Sequence, residues 1–285
     1  MSKIIITCDS TADLPLELRQ KYNIKVIPLG VTLGATTYQD GVNITPDEIY
    51  AHHAKTGELP KTTAANVGDF LDFFGPIVEE GNTIIHFPIS SEMSSTYNNA
   101  LLAASDLENV HIVDSKNLST GIGLVVVAAA EMAQNGASAE EIIAKAEELV
   151  KCADASFVID NLEYLHKGGR CSAVAMLGAN LLKLKPCIDV TNGKMDVSKK
   201  YRGKYGEVLK QYVSERLANL DDIDNSRIFI THAGCADEIV NDVEAQVKEY
   251  GFFNEIIACR AGCTVSSHCG ADTLGILYIR KSPKA

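Results

Sequence analysis

The chain lacks any apolar run long enough to cross a bilayer. Its longest, Ile122 to Ala130, falls far short of the ~20 residues a membrane helix needs. No export signal is expected either, because the apolar stretch in Met1-Ser2-Lys3-Ile4-Ile5-Ile6-Thr7-Cys8-Asp9 is short and ends on an acid. There is no low-complexity tract and no disorder signature. The eight cysteines are scattered, many singly, as at Cys8, Cys152, Cys187 and Cys259. That is not the pattern of a disulfide-stapled domain, and a reducing cytoplasm is the expected location. Positive charge is scarce: 26 Lys and Arg against 37 Asp and Glu leave a formal charge of -11. An acidic chain repels phosphates, so general nucleic-acid binding is not expected.

Common catalytic and nucleotide fingerprints are missing too. The sequence has no Gly-x-x-x-x-Gly-Lys-Ser/Thr loop and no Gly-x-Gly-x-x-Gly turn after its first strand. It has no Gly-x-Ser-x-Gly elbow. Cys259 and Cys263 with His268 and Cys269 match no ordinary zinc spacing, so no metal is expected.

What is present points to an α/β protein. With 285 residues the chain exceeds the common domain of about 100–150 residues. Two domains are expected, over residues 1–150 and 151–285. Lys3 to Cys8, Asn82 to Phe87 and Val110 to Asp114 each read as a buried strand followed by a polar loop and a helix, the repeat of a parallel sheet. In such sheets, ligands bind at the carboxyl ends of the strands. Small oxygen-bearing residues in Asp9-Ser10-Thr11-Ala12-Asp13 suit the cap of a helix over Leu16 to Tyr22. Val26 to Leu33 and Thr37-Tyr38 flank Gly34-Ala35 as a hairpin, an excursion over residues 25–60. Helical periodicity is strong from Ser138 to Val150. Beyond it, strands at Phe157–Asp160, Pro186–Val190, Ile228–Thr231, Glu255–Cys259 and Leu274–Ile279 alternate with helices. Asn192-Gly193 predicts a two-residue hairpin turn, which places antiparallel sheet in the second domain.

Three segments carry candidate chemistry. His268 precedes Gly270 and a final strand. An imidazole beside close-approaching backbone suits an anion, and a His bonded within a tight turn fits the same residues. Ser90-Ser91-Glu92-Met93-Ser94-Ser95-Thr96 has more hydroxyls than an N-cap needs, which favours a carboxylate or phosphate at a helix start. Lys61-Thr62-Thr63 adds hydroxyls in a loop. Lys167-Gly168-Gly169-Arg170 opens an apolar helix through Met176, Leu177, Leu181 and Leu182. With Tyr201-Arg202-Gly203-Lys204 it forms two basic spots, read either as contacts for a phosphate-bearing partner or as solvated turns.

Taken in order, these segments resemble the DegV family, which includes the fatty-acid-binding subunits of bacterial fatty acid kinase. The match runs through Asp9-Ser10-Thr11-Ala12-Asp13-Leu14-Pro15, Tyr38-Gln39-Asp40-Gly41, Pro60-Lys61-Thr62-Thr63, Ser90 to Tyr97, Asp114-Ser115, Leu165 to Arg170 and His268 to Gly275. The resemblance implies a parallel-sheet α/β/α domain and an α/β domain with a largely antiparallel sheet, with a lipid site between them. It implies that Thr62 and Ser94 bind a long-chain fatty acid carboxylate with His268 close by, and that Thr63 and Ser95 neighbour the head group. Arg170 and Arg202 would face a fatty acid kinase partner. No catalytic residue and no cofactor are implied. The chain departs from the family pattern at Thr63-Ala64-Ala65, where Ser-Gln-Pro is usual, at Ser95, where Gly is usual, and at Gly270-Ala271-Asp272, where Gly-Pro-Gly is common.

Two other functions suit the same residues. One is a hydrolase or acyltransferase with Ser94 as nucleophile, His268 as base and Asp272 as its orienting acid. The other is a binder of a different small anion.

Overall fold

The computed structural model describes residues 3–171 and 184–283. The expected apolar helix through Met176, Leu177, Leu181 and Leu182 lies outside the described residues.

The first sheet is parallel, in the order β2-β1-β6-β7, formed by β1 (Ile4–Asp9), β2 (Lys25–Ile27), β6 (Thr83–Phe87) and β7 (Val110–Ile112). The chain leaves β1 first toward β2 on one side, and later returns to β6 on the other. The carboxyl ends of β1 and β6 are therefore a topological switch point, where the crevice of an open α/β sheet forms. Both faces are covered, which is why these strands are continuous apolar runs. Ile5 and Ile84 pack under Phe70 and Phe74 of α3 (Val67–Glu79) and Ala100 of α4 (Thr96–Ala104). Ile6, Cys8, Ile85 and Phe87 face α1 (Leu16–Lys21), α5 (Thr120–Gln134) and α6 (Ala139–Cys152).

The expected excursion over residues 25–60 divides at Pro28. Residues before it, in β2, join the parallel sheet. Those after it form β3 (Gly30–Leu33) and β4 (Thr36–Gln39), paired antiparallel across the Gly34-Ala35 turn. Proline has no N–H to continue a ladder. A third strand, β5 (Lys61–Thr63), completes this small sheet beyond residue 60. After β4 the chain forms α2 (Pro46–Thr56), entered through a Thr45–Glu48 capping box. The loop after β1 does not cap α1: Asp9 instead accepts from Thr11 N–H to hold a one-turn helix at Ser10–Ala12, and Pro15 precedes α1 without a side-chain cap.

A capping box at Ser138 and Glu141 starts α6, and the chain passes from Cys152 directly into the second sheet. That sheet has the order β10-β9-β8-β13-β11-β12: β8 (Ala153–Ile159), β9 (Lys185–Thr191), β10 (Lys194–Tyr201), β11 (Ile223–Ala233), β12 (Glu255–Arg260) and β13 (Thr273–Arg280). All pairings are antiparallel except β11 with β12. Asn192 and Gly193 both take positive φ, 50° and 84°, in the turn between β9 and β10, as a type I′ turn requires. Between β8 and β9 lies α7 (Glu163–Gly168). The outer face carries α8 (Tyr205–Arg216) and α9 (Asp237–Glu249).

The inner face meets α5. This helix is buried from Thr120 to Val127 and again at Ala129 and Ala130, contacting β1 on one side and β8 and β13 on the other. A helix apolar all round belongs inside a core, so the two sheets share one hydrophobic cluster.

Candidate ligand-binding site

A short helix, α10 (Cys263–Cys269), joins β12 to β13 and carries His268. Its position is fixed by carboxylates from the first half of the chain. Asp40 Oδ1 accepts from Cys263 N–H (2.7 Å), and Asp40 Oδ2 accepts from Thr264 N–H (2.9 Å) and from the Ser10 hydroxyl (3.0 Å). Asp13 accepts from Gly262 N–H (2.8 Å) and from the Ser119 hydroxyl (2.6 Å). Asp9 accepts from Ile89 N–H (2.8 Å), tying the loop after β1 to the loop after β6. Burial pushes the Asp9 carboxyl up to about 6 and the Asp13 carboxyl well above the usual range. The acidic motifs of the sequence are thus scaffold: they seat α10 and the switch-point loops.

Thr62 reaches His268 from the small sheet. Its Oγ1 lies 2.8 Å from His268 Nε2, a contact spanning 206 residues of sequence. Burial, and then repulsion from the Arg170 guanidinium, pull the imidazole down to about 4, so it is neutral near pH 7. It then offers at most one N–H. His268 Nδ1 has no hydrogen-bond partner among the described residues.

These side chains line a cavity of about 320 Å³, together with Thr63, Ser94, Ser95 and others. The five residues expected around the carboxylate, Thr62, Thr63, Ser94, Ser95 and His268, line one cavity, and Arg170, expected on a partner-facing surface, lines it too. Arg202 does not line the cavity; it is exposed beyond β10. Arg170 stands at the cavity with its Nη1 donating to Gly168 O (2.8 Å). Of the departures from the family pattern, only Thr63, Ala64 and Ser95 line the cavity. Ala65 is buried under α3, and Asp272 lies beside Asp160 and Lys185. Asp272 hence neither repels an anion in the cavity nor orients His268.

The Ser90–Thr96 cluster divides between two jobs. Ser90 donates to Gly193 O (2.9 Å), latching the β9–β10 turn onto the loop. α4 begins only at Thr96, and Ser94 Oγ accepts from Thr96 N–H (3.2 Å) and lies 2.8 Å from Thr96 Oγ1. Ser94 and His268 line the same cavity without a hydrogen bond to one another, and no acid meets Nδ1, so the nucleophile–base–acid chain of a hydrolase is not assembled among the described residues.

The remaining walls were not legible in the sequence. Leu29, Ile89, Met93, Leu118, Met195, Val265 and Cys269 supply an apolar lining from loops far apart in the chain. Leu118, Val265 and Cys269 also border a smaller apolar gap of about 30 Å³ against the second sheet, with Ala155, Phe157 and Leu277. Thr264 was missed as well, although its spacing of four residues from His268 put it on the same helix face. Among the described residues, no group of His, Cys, Asp and Glu is arranged to hold a metal ion, and no helix is long and apolar enough to cross a membrane.

The DegV family model, described as "Uncharacterised protein, DegV family", matches residues 3–281. The chain belongs to the DegV family. A DegV domain-containing protein of Caldanaerobacter subterraneus is 30% identical over 284 residues, covering 99% of this chain and 100% of the relative. A DegV family protein from Thermus thermophilus, described by its fatty acid binding, superposes with a TM-score of 0.91 at 30% identity, covering 98% of this chain and 99% of that one. A stearic acid-binding protein from Eubacterium ventriosum superposes with a TM-score of 0.83 at 28% identity, covering 99% of each.

Proposed function

We propose that this DegV family chain binds one long-chain fatty acid without transforming it. The carboxylate sits against Thr62, Ser94 and His268, with Thr63 and Ser95 beside it. The tail follows Leu118, Val265 and Cys269 toward the apolar gap against the second sheet. The observation that carries the reading is the cavity itself, which combines hydroxyls and a neutral imidazole with an apolar lining that shares Leu118, Val265 and Cys269 with a neighbouring apolar gap. Burying a tail contributes about 0.8 kcal/mol per CH₂. A buried carboxylate is costly unless hydrogen-bonded, and the polar end supplies the donors. The fatty acid binding of the Thermus and Eubacterium relatives supports the same ligand class.

The finer reading is that the bound acid is presented to a kinase partner that converts it to an acyl phosphate, with Arg202 and the exposed Arg170 on the docking face. Phosphate-bearing partners suit arginine forks. The reducing cytoplasm is the compartment for such a carrier.

Mass spectrometry of an organic extract from denatured, purified protein tests the ligand class. A stoichiometric fatty acid is expected. An extract no richer than that of a control protein from the same cells, together with no uptake of oleate or palmitate, overturns the reading.

A further inference from the structure

A second cavity, of about 360 Å³, is lined by the ends of β1 and β12, by Val26 of β2 and by Leu16 and Arg19 of α1. Three carboxylates border it, Asp9, Asp13 and Asp40, and each of their oxygens accepts a hydrogen bond from the chain. Two arginines border it as well, and they differ. Arg260 spends its fork on Asp47, with Nη1 donating to Oδ2 (3.0 Å) and Nη2 to Oδ1. Arg19 is part-buried, yet its guanidinium has no hydrogen bond or ion pair among the described residues. Its Nε is sealed from solvent, whereas its two Nη groups are not. Each of the other arginines buried to that degree is paired: Arg216 with Asp154 and Asp189, Arg227 with Glu131 and Glu255, Arg280 with Asp154 and Asp222. Burial and then Asp9 push the Cys8 thiol up, and the Arg19 charge draws it back down. Cys8 lines the same cavity, so the guanidinium stands within electrostatic reach of its wall. A cation partly withdrawn from water without a counter-charge is costly, and glutamine would reach as far without that cost.

We propose that this cavity is a second ligand site, for a small carboxylate or phosphate ester with a short apolar tail, whose anionic group is gripped by the Arg19 Nη groups. A guanidinium fork matches either anion with two parallel N–H donors. Ala12, Leu14, Val26 and Ala258 supply apolar wall for the tail, and Leu16, 53% exposed, lines the same cavity. The aspartates do not take the place of the ligand, because their oxygens are turned onto donors of α10 and the switch-point loops. Burial also holds the Asp9 and Asp13 carboxyls toward their neutral forms, which lessens their repulsion of an anion. The site is independent of what fills the first cavity.

The test is a titration of isotope-labelled full-length protein with butyrate, butyl phosphate and butylammonium, followed by amide NMR. At least one of the two anions is expected to shift the amides of Val26, Gly41 and Ala258 with a dissociation constant on the order of 1 mM, and butylammonium to leave them in place. A response to butyl phosphate alone identifies a phosphate ester, and one to butyrate alone a carboxylate. Arg19→Gln should weaken that binding by about ten-fold, the worth of one hydrogen bond to a charged group, with the amides of Thr62 and Ser94 unmoved from their native positions. Arg19→Lys, which keeps the charge but not the fork, should fall between the two. Equal binding in Arg19→Gln overturns the proposal, as does a response to butylammonium in place of the anions. Shifts confined to Thr62 and Ser94 in the native chain would assign the anions to the first cavity and overturn it without any variant, as would no shift with either anion.

Discussion

Two cavities of similar volume flank the start of α10, and they use their polar groups in opposite ways. One, of about 360 Å³, is lined by Asp9, Asp13 and Asp40. Both oxygens of each carboxylate there accept a hydrogen bond from the chain itself. The other, of about 320 Å³, is lined by Thr62, Ser94, Thr264 and His268, and there Thr264 Oγ1 and His268 Nδ1 have no partner. A satisfied buried network stiffens and positions, whereas the second cavity sets hydroxyls and an imidazole into a lining that is otherwise apolar. The acidic motifs therefore belong to the scaffold, and the plainer hydroxyl residues line the cavity.

The largest expected effect breaks the scaffold. Asp40→Ala leaves two N–H groups of α10 and the Ser10 hydroxyl without an acceptor. It should cost about 3 kcal/mol of unfolding free energy, measured by urea denaturation of lipid-free protein, while Ser94→Ala should stay within ~0.5 kcal/mol. Similar stabilities for the two variants would erase the distinction.

Next in size is the mirror experiment on the site. Ser94→Ala should weaken fatty acid binding by about 1–3 kcal/mol, because a buried carboxylate loses a donor. Unchanged affinity by calorimetry would place the carboxylate elsewhere.

A third comparison uses pH. His86 is fully buried between Phe70 and Phe74, and burial pulls its imidazole down from 6.5 to about 3. As pH falls through that window the unfolded chain takes up a proton that the folded chain refuses. The His86 contribution is therefore whole above about 6.5 and is lost as pH falls toward 3. Asp9, pushed up from 3.8 to about 6, works the other way: its contribution is whole at low pH and lost as pH rises through that range. The difference between the native chain and His86→Leu isolates the histidine. Native stability should fall more steeply from pH 6 to 4, by about 1.4 kcal/mol per pH unit. Parallel slopes would show that His86 titrates normally.

The smallest effects distinguish the two arginines. Arg170 lines the cavity and Arg202 does not, so Arg170→Ala should weaken fatty acid binding by at most about 1 kcal/mol, as befits an exposed charge. Arg202→Ala should leave it unchanged. Equal losses in both would move Arg202 into the site.

By itself the sequence determined the elements and their pairing rules. Continuous apolar runs ending in polar loops identified the parallel strands, because a strand covered on both faces has no polar side. Helical periodicity from Ser138 marked α6, and Asn192-Gly193 the β9–β10 turn, since each is a local pattern closed within a short stretch of chain. Thr62, Ser94 and His268 were legible as candidates through ordered motifs. Only the tertiary structure decided which polar residues serve the cavity and which serve the scaffold. Asp13 and Asp40 cap a helix more than 200 residues away, Thr62 meets His268 across 206 residues, and Arg170 and Arg202, alike as basic spots, separate into a cavity wall and an outer surface. A hydroxyl or carboxylate has the same local signature whether its partner is a distant backbone N–H or a ligand. The distinction is made by what the folded chain brings within hydrogen-bonding distance, and by what it leaves unpaired.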